Sequence, residues 1–367
     1  MRRIGVGIIG LSAKGGWAAT AHLPALRRFP EAEVVALSAS SPESAAAAGA
    51  KHGIARTYHL PEDLAADPAV DLVVVAVKVP EHAALVKATI DPGKAVYCEW
   101  PLGLDLAEAQ RLRDMAAAAG VRTFVGLQAR AAPQVNFVRH LVASGHVGEV
   151  LSTTLIGSGS RWGATIPSGS LYLTDAANGA TMLTIPFAHT LDAVEHVLGP
   201  LGELNATISN RRTSVKIEET GEMVAVSAPD QVLVSGRLTS GATIAAHYRG
   251  GLSTGTNFHW EINGTDGDIL VTGPNGHLQY GQVRIQSATG GAKVLSDLET
   301  PASFERFPFK AGDFSYTVAH AYAAVLDDLA TGGRTAPDFD TAVARHNSID
   351  RIMEAARTGG RVSLQPA

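Results

Sequence analysis

The stretch Arg3-Ile4-Gly5-Val6-Gly7-Ile8-Ile9-Gly10-Leu11-Ser12-Ala13-Lys14-Gly15-Gly16-Trp17 decides how the chain is read. Ile4 to Ile9 is a short apolar run ended by glycine, the pattern of a strand buried on both faces of a parallel sheet. A turn of small residues follows Gly10, and the alanine-rich segment from Trp17 to Phe29 has helical character. Strand, tight turn and helix form the first half of a dinucleotide-binding βαβ unit. Backbone N–H groups at such a helix start hold a pyrophosphate, and small residues let it approach closely. Against G-x-G-x-x-G the stretch presents Gly10, Ser12 and Gly15, with serine in place of the middle glycine. A strand-to-helix turn without ligand fits the same residues, so the rest of the chain must decide.

Outward from that stretch, Glu33–Leu37 is predicted as the second parallel strand, running into Ser38-Ala39-Ser40-Ser41-Pro42. An acid near this strand end binds the ribose 2′-hydroxyl of NAD in such folds. Three serines stand there instead, which removes the repulsion an acid exerts on a 2′-phosphate. NAD and NADP both stay open, as does a plain serine cap on the helix from Pro42. Asp71–Val77 is a buried strand entering Lys78-Val79-Pro80-Glu81-His82, and Ala95–Cys98 another, ending in Glu99-Trp100-Pro101. Leu106–Ala119 is predicted as a helix and Arg122–Leu127 as a strand reaching Gln128-Ala129-Arg130. This alternation predicts a doubly wound parallel sheet of the Rossmann type over residues 1–130.

From about Leu151 the pattern changes to short alternating segments separated by turn residues: Leu151–Ile156, Leu204–Ser209, Gln231–Leu238, Thr243–Tyr248, Phe258–Gly264, Asp268–Thr272, His277–Tyr280 and Gln282–Ser287. Helices are predicted over Pro133–Ala143, Gly179–Leu198, Phe314–Thr331 and Asp340–Thr358. Residues 131–367 therefore read as an α+β domain for substrate and dimerisation, built on a large, mostly antiparallel open sheet. Its C-terminal helices are free to pack back on the first domain.

The 367 residues suit two domains better than one core. With 46% apolar and 18% charged residues, the composition is that of a packed soluble protein. A net charge of −5 gives no reason to expect nucleic acid. No apolar run reaches membrane-spanning length. The Arg2-Arg3 pair precedes a run too short and glycine-broken for a signal peptide. The single Cys98 excludes an internal disulfide and fits a cytoplasmic protein.

In order, the strand–glycine turn, Val-Pro-Glu-His, Gly-Lys-x-Val-x-x-Glu-x-Pro-Leu and Leu-Gln-x-Arg resemble the glucose–fructose oxidoreductase/inositol dehydrogenase (Gfo/Idh/MocA) family across essentially the whole chain. Gly10-Leu-Ser-Ala-Lys-Gly-Gly-Trp17, Val77–His82, Glu99-Trp100, Gln128-Ala-Arg130 and Phe187-Ala-His-Thr-Leu-Asp192 resemble the branch that contains the fungal galactose-regulon inhibitor, a dinucleotide-binding regulator. The resemblance implies NAD(P), a sugar, glycoside or polyol ligand, and a homodimer. By position it places Gly10, Ser12, Gly15 and Gly16 along the pyrophosphate, with Trp17 toward the nicotinamide. Ser38 and Ser40 fall near the adenosine ribose, and Lys78, Val79, Pro80 and His82 near the cofactor. Glu99 and Trp100 flank the nicotinamide, with Gln128 and Arg130 close by.

Hydride removal from a hydroxyl-bearing carbon needs a base for the hydroxyl proton. In the family's enzymes the lysine of Glu-Lys-Pro serves, with a histidine and often an aspartate. Here Trp100 holds the lysine position and Ile185 the aspartate position. Indole N–H donates but cannot accept. The histidine persists as His189, sharing a helix face with Asp192 and His196. His189 is the candidate base, or the three form a buried polar network. A metal site lacks an obvious third ligand. Lys78 is a second candidate base if burial lowers its pKa, and otherwise a ribose or phosphate ligand. Tyr172 and Asp175 are candidate sugar contacts, as are Trp100 and Arg130. Enzyme and silent sensor or transcriptional regulator both stay open, with the balance toward an enzyme.

Overall fold

The computed structural model describes residues 3–310 and 312–364; Arg2 of the Arg2-Arg3 pair lies outside them. The chain divides into two compact units. One combines Met1–Gln128 with Phe307–His346, and the other Ala129–Arg306 with Asn347–Ala367. The stretch read as one second domain is therefore divided: residues 307–346 group with the first unit.

In the first unit six parallel strands are β1 (Ile4–Ile9), β2 (Ala32–Ser38), β3 (Arg56–Tyr58), β4 (Leu72–Val75), β5 (Ala95–Glu99) and β6 (Thr123–Gly126). Their order is β3-β2-β1-β4-β5-β6, so the winding reverses between β1 and β4. Ligands of doubly wound sheets bind beyond the carboxyl ends of strands at such a reversal. Between the strands run α1 (Leu23–Leu26), α2 (Pro42–His52), α3 (Pro61–Ala66), α4 (His82–Ile90) and α5 (Leu106–Ala118). The first helix is shorter than Trp17–Phe29, because a π-turn (Ala18–His22) leads into a single α-helical turn. The core joins Val6, Ile8, Leu26, Leu72 and Val74 to Val318, Tyr322 and Leu326. A late helix, Ser315–Thr331, thus completes the first core.

The second unit contains α6 (Pro133–Ala143) and α7 (Ala188–Leu198); the late helix is α8, and Phe339–Thr358 is α9. Its strands are β7 (Val150–Gly159), β8 (Thr165–Ile166), β9 (Leu201–Ser209), β10 (Ser214–Ile217), β11 (Met223–Ala225), β12 (Gln231–Leu238), β13 (Thr243–Gly250), β14 (Phe258–Gly264), β15 (Gly267–Gly273), β16 (Arg284–Thr289), β17 (Ser296–Leu298) and β18 (Val362–Ser363). Nine of them form one sheet in the order β17-β16-β15-β14-β7-β13-β12-β9-β18, antiparallel except for β13 beside β7. A small sheet, β11-β10-β8, stands apart.

Alternation drives the large sheet: Val232, Val234, Ile244, Ala246, Trp260 and Ile262 are buried on one face. Helix α7 and the residue before it dock on that face, Phe187 edge-on to the Tyr248 ring at 5.3 Å and the Thr190 hydroxyl 2.6 Å from the Tyr248 hydroxyl. Gly157 makes room, since a Cβ there would lie 2.1 Å from the Tyr248 ring. Two predicted elements change. His277–Tyr280, read as a strand, holds a 3₁₀ turn at Leu278–Tyr280, and Gly179–Leu198 begins as a π-turn (Leu183–Phe187) before α7.

Candidate functional site

In the first unit the glycine turn, the end of β2 and the exit from β4 enclose one pocket of about 290 Å³. Gly10, Ser12, Ser38 and Ser40 line it, with His59, Val77 and Glu81. Gly10 has φ +96°, and a Cβ there would lie 2.6 Å from the Ala76 carbonyl oxygen, so no other residue fits without strain. Gly15 and Gly16 also take positive φ, but their missing Cβ atoms would meet open space. That openness is what a ligand approaching the backbone needs. The turn is braced by α2: Lys51 Nζ donates to the Ala13 carbonyl at 2.6 Å, and His52 Nε2 lies 3.1 Å from the Ser12 carbonyl. Lys14 and Lys51 bring positive charge beside the small residues, which favours phosphate.

The serines after β2 divide their tasks. Ser41 caps α2, receiving the Ser44 N–H, while Ser38 is buried in the pocket wall and Ser40 is exposed at its mouth. Lys78 is exposed and Val79 buried, with Pro80 exposed between them and His82. His82 is a latch: its ring nitrogens lie 2.9 Å from the Pro101 carbonyl and 3.2 Å from the Val77 carbonyl. Burial lowers its pKa, and the two carbonyls oppose that shift only in part.

At the carboxyl end of β5, Glu99 is nearly buried. His22, which the sequence reading passed over, places Nδ1 2.7 Å from the Tyr322 hydroxyl and Nε2 3.2 Å from Glu99 Oε1. Close as they are, these two atoms do not form a hydrogen bond. Burial, and then the Glu99 charge, raise the Tyr97 and Tyr322 hydroxyls well above the ordinary tyrosine range. Trp100 is buried against His346, with ring centroids 4.7 Å apart, and burial holds His346 down at about 4. Gln128 is buried at the end of β6. Trp17 is half-buried, between His22 and Phe314.

In the second unit, Asp192 is fully buried and takes a two-pronged ion pair from Arg130, with Nε at 2.7 Å and Nη2 at 2.5 Å. The Asn136 amide donates to the Arg130 carbonyl, and His196 Nε2 lies 3.4 Å from Asn136 Oδ1. Burial, then the charges of Arg130 and Arg139, push His196 down to about 4. Asp192 thus anchors α7 to the segment after β6. His189, in the first turn of α7, is 3% exposed.

His189 has neighbours that sequence reasoning did not find. His277 is buried, its pKa held at about 3 first by burial and then by the charges of His189 and Arg161. The His277 ring stacks on Tyr280 at 5.0 Å and 4°, and on Trp162 at 6.3 Å and 19°. Burial raises the Tyr172 and Tyr280 hydroxyls, against the Arg161 charge. Asp175 is exposed and caps a turn, accepting the Ala177 N–H at 3.0 Å and the Ser227 hydroxyl at 3.2 Å. The one sequence signal for this cluster was the glycine-rich flank of His277, from Gly273 to Gly281, which is turn chemistry rather than strand. Among the described residues no group of three or more His, Cys, Asp or Glu could hold a metal ion, and no helix is long and apolar enough to cross a membrane.

A six-stranded parallel sheet that reverses at β1, with a positive-φ glycine and a pocket at its carboxyl edge, is the geometry of a dinucleotide-binding Rossmann domain. Residues 4–127 match the model of the Gfo/Idh/MocA oxidoreductase family with NAD-binding Rossmann fold, and residues 133–273 match the C-terminal domain of Gal80p. The dehydrogenase aclE of Aspergillus oryzae is 32% identical over 98% of this chain and 97% of its own length. The galactose/lactose metabolism regulatory protein GAL80 of Saccharomyces cerevisiae is 27% identical over 75% of this chain and 68% of its own. The crystal structure of its super-repressor mutant has the same fold, with a TM-score of 0.89 over 98% of both chains at 21% identity. Levoglucosan dehydrogenase in complex with NADH and levoglucosan gives a TM-score of 0.84 over the full length of both chains, also at 21% identity. The chain belongs to the Gfo/Idh/MocA family, in a branch resembling Gal80.

Proposed function

We propose that this protein is an NAD(P)-dependent oxidoreductase that removes or delivers hydride at a hydroxyl-bearing carbon of a sugar, glycoside or polyol. The dinucleotide fits the first unit: Gly10 lets the chain turn without a Cβ, Gly15 and Gly16 leave the backbone open, and Lys14 and Lys51 supply charge. Those residues would hold the pyrophosphate, with Ser38 and Ser40 at the adenosine ribose and Glu99, Trp100 and Gln128 toward the nicotinamide. Bound there, a nicotinamide supplies the hydride acceptor or donor.

The chain itself must supply the proton acceptor, and the observation that carries the reading is His189, buried in the first turn of α7, in the same unit as the stacked rings of His277 and Tyr280. Neutral His189 takes the hydroxyl proton of an alcohol substrate and returns it in the reverse direction. Asp192, locked to Arg130, positions the helix that carries it. Relatives described as dehydrogenases, aclE among them, support this reading. The open sheet of the second unit is taken, in the same reading, as the surface on which two copies pair.

A second reading has its own support. Trp100, which the resemblance aligns with the family's lysine, packs on His346, and a fold that binds without that base is in keeping with the relative GAL80, a regulatory protein. A spectrophotometric panel of monosaccharides, glycosides and polyols with NAD+ and NADP+ separates the two. The enzyme reading expects reduced-nicotinamide absorbance with at least one substrate, and its loss by about two to four orders of magnitude in His189→Ala. A silent panel with cofactor bound at micromolar affinity would establish the sensor.

A further inference from the structure

Taking the dinucleotide site of the first unit as proposed above, we infer that it selects NAD(H) over NADP(H), and that the acid making the choice is Glu81, which lines the pocket from the exit of β4. At the end of β2, where such folds carry their selecting acid, only Ser38, Ala39 and Ser40 line the pocket. Glu81 ends the 3₁₀ turn Val79–Glu81 and stands at the N-terminus of α4, where its side chain caps no backbone N–H. It is exposed, and among the described residues no hydrogen bond or ion pair engages its carboxylate. Strands β2 and β4 flank β1 in the sheet, so the exits of both border the same pocket.

Gly10 and Ser12 of the phosphate turn line that pocket too. The ribose follows the phosphates in the covalent order of the cofactor, and so enters between the ends of β2 and β4. In NAD its 2′ position is a hydroxyl, a donor that an unpaired carboxylate accepts in a charge-assisted hydrogen bond. In NADP the same position carries a phosphate with about two negative charges, which needs a cation. No lysine or arginine lines the pocket. Arg56, on β3 beside β2, lies 3.6 Å from Asp67, and Lys51 donates to the Ala13 carbonyl at the turn. The one other titratable side chain on the lining, His59, carries at most a single charge, less than the phosphate requires. A 2′-phosphate would therefore meet the like charge of Glu81 without a guanidinium or ammonium to offset it.

Calorimetry at pH 8 with NADH and, separately, NADPH tests this. NADH should bind at least about tenfold more tightly. Glu81→Gln removes the charge at nearly constant size. It should weaken NADH by about tenfold while NADPH holds or gains, an opposed change that a general loss of structure does not produce. Glu81→Lys should make NADPH the tighter of the two, and His59→Gln should leave the preference for NADH in place. Equal binding of the two nucleotides, a Glu81→Gln variant that changes both alike or neither, or a preference lost in His59→Gln would overturn the inference and leave the dinucleotide reading intact. Turnover of a sugar with NADP+ alone would overturn it while bearing out the enzyme. Heat with neither nucleotide would sink the dinucleotide reading and the inference together.

Discussion

The first unit builds its ligand site from backbone, and the second builds its own from side chains. Around Gly10 the decisive features are a positive φ, a missing Cβ and a turn braced through the carbonyls of Ser12 and Ala13. Around His189 they are a buried ion pair, a stack of rings and titratable groups held far from their ordinary pKa values. Backbone sites depend on residues being small and tolerate exchange among small residues, as Ser12 shows. Side-chain sites depend on burial and pairing, so single substitutions there should cost more.

The largest expected effect tests that contrast. Arg130→Ala leaves Asp192 charged and fully buried without its partner, and should cost about 3–5 kcal/mol of stability in chemical denaturation. The paired change Arg130→Met with Asp192→Leu should recover much of the loss. If Arg130→Ala costs less than about 1 kcal/mol, the ion pair does not anchor α7 as described.

Next comes pH. His277, at about 3, and His346, at about 4, are held below the unfolded value near 6.5. Their folded pKa values are depressed, so the unfolded chain binds protons first as pH falls. Stability is full above about pH 6.5 and declines between there and about pH 4. Each histidine should cost on the order of 2 kcal/mol by pH 5. Thermal unfolding from pH 8 to pH 5 should show the decline, and His277→Gln should make it shallower by that histidine's share. An unchanged slope in that variant would place His277 in contact with water.

The smallest effect belongs to the backbone-built side. Ser40→Asp puts an acid at the mouth of the first pocket and should shift preference toward NAD over NADP by about tenfold. No shift would mean that the adenosine ribose lies elsewhere.

The same contrast explains what could be read from the chain. Buried parallel strands announce themselves as apolar runs, so Asp71–Val77 and Ala95–Cys98 located β4 and β5 within a few residues. Strands β12 and β14 followed from strict alternation. Short strands such as β8 and β11 carry too few residues to show a period. His22 was invisible for another reason: it meets Tyr322 across 300 residues of chain, and no local spacing records that. The late helix α8 likewise looks like any amphipathic helix, and nothing in its own residues says which core it completes.

The central claim is that cofactor grip and proton handling reside in different parts of the chain. Calorimetry of His189→Ala with NADH tests it most directly. The account predicts binding within about twofold of the unsubstituted protein while turnover is lost. Absence of heat with any pyridine nucleotide, in either protein, would contradict it.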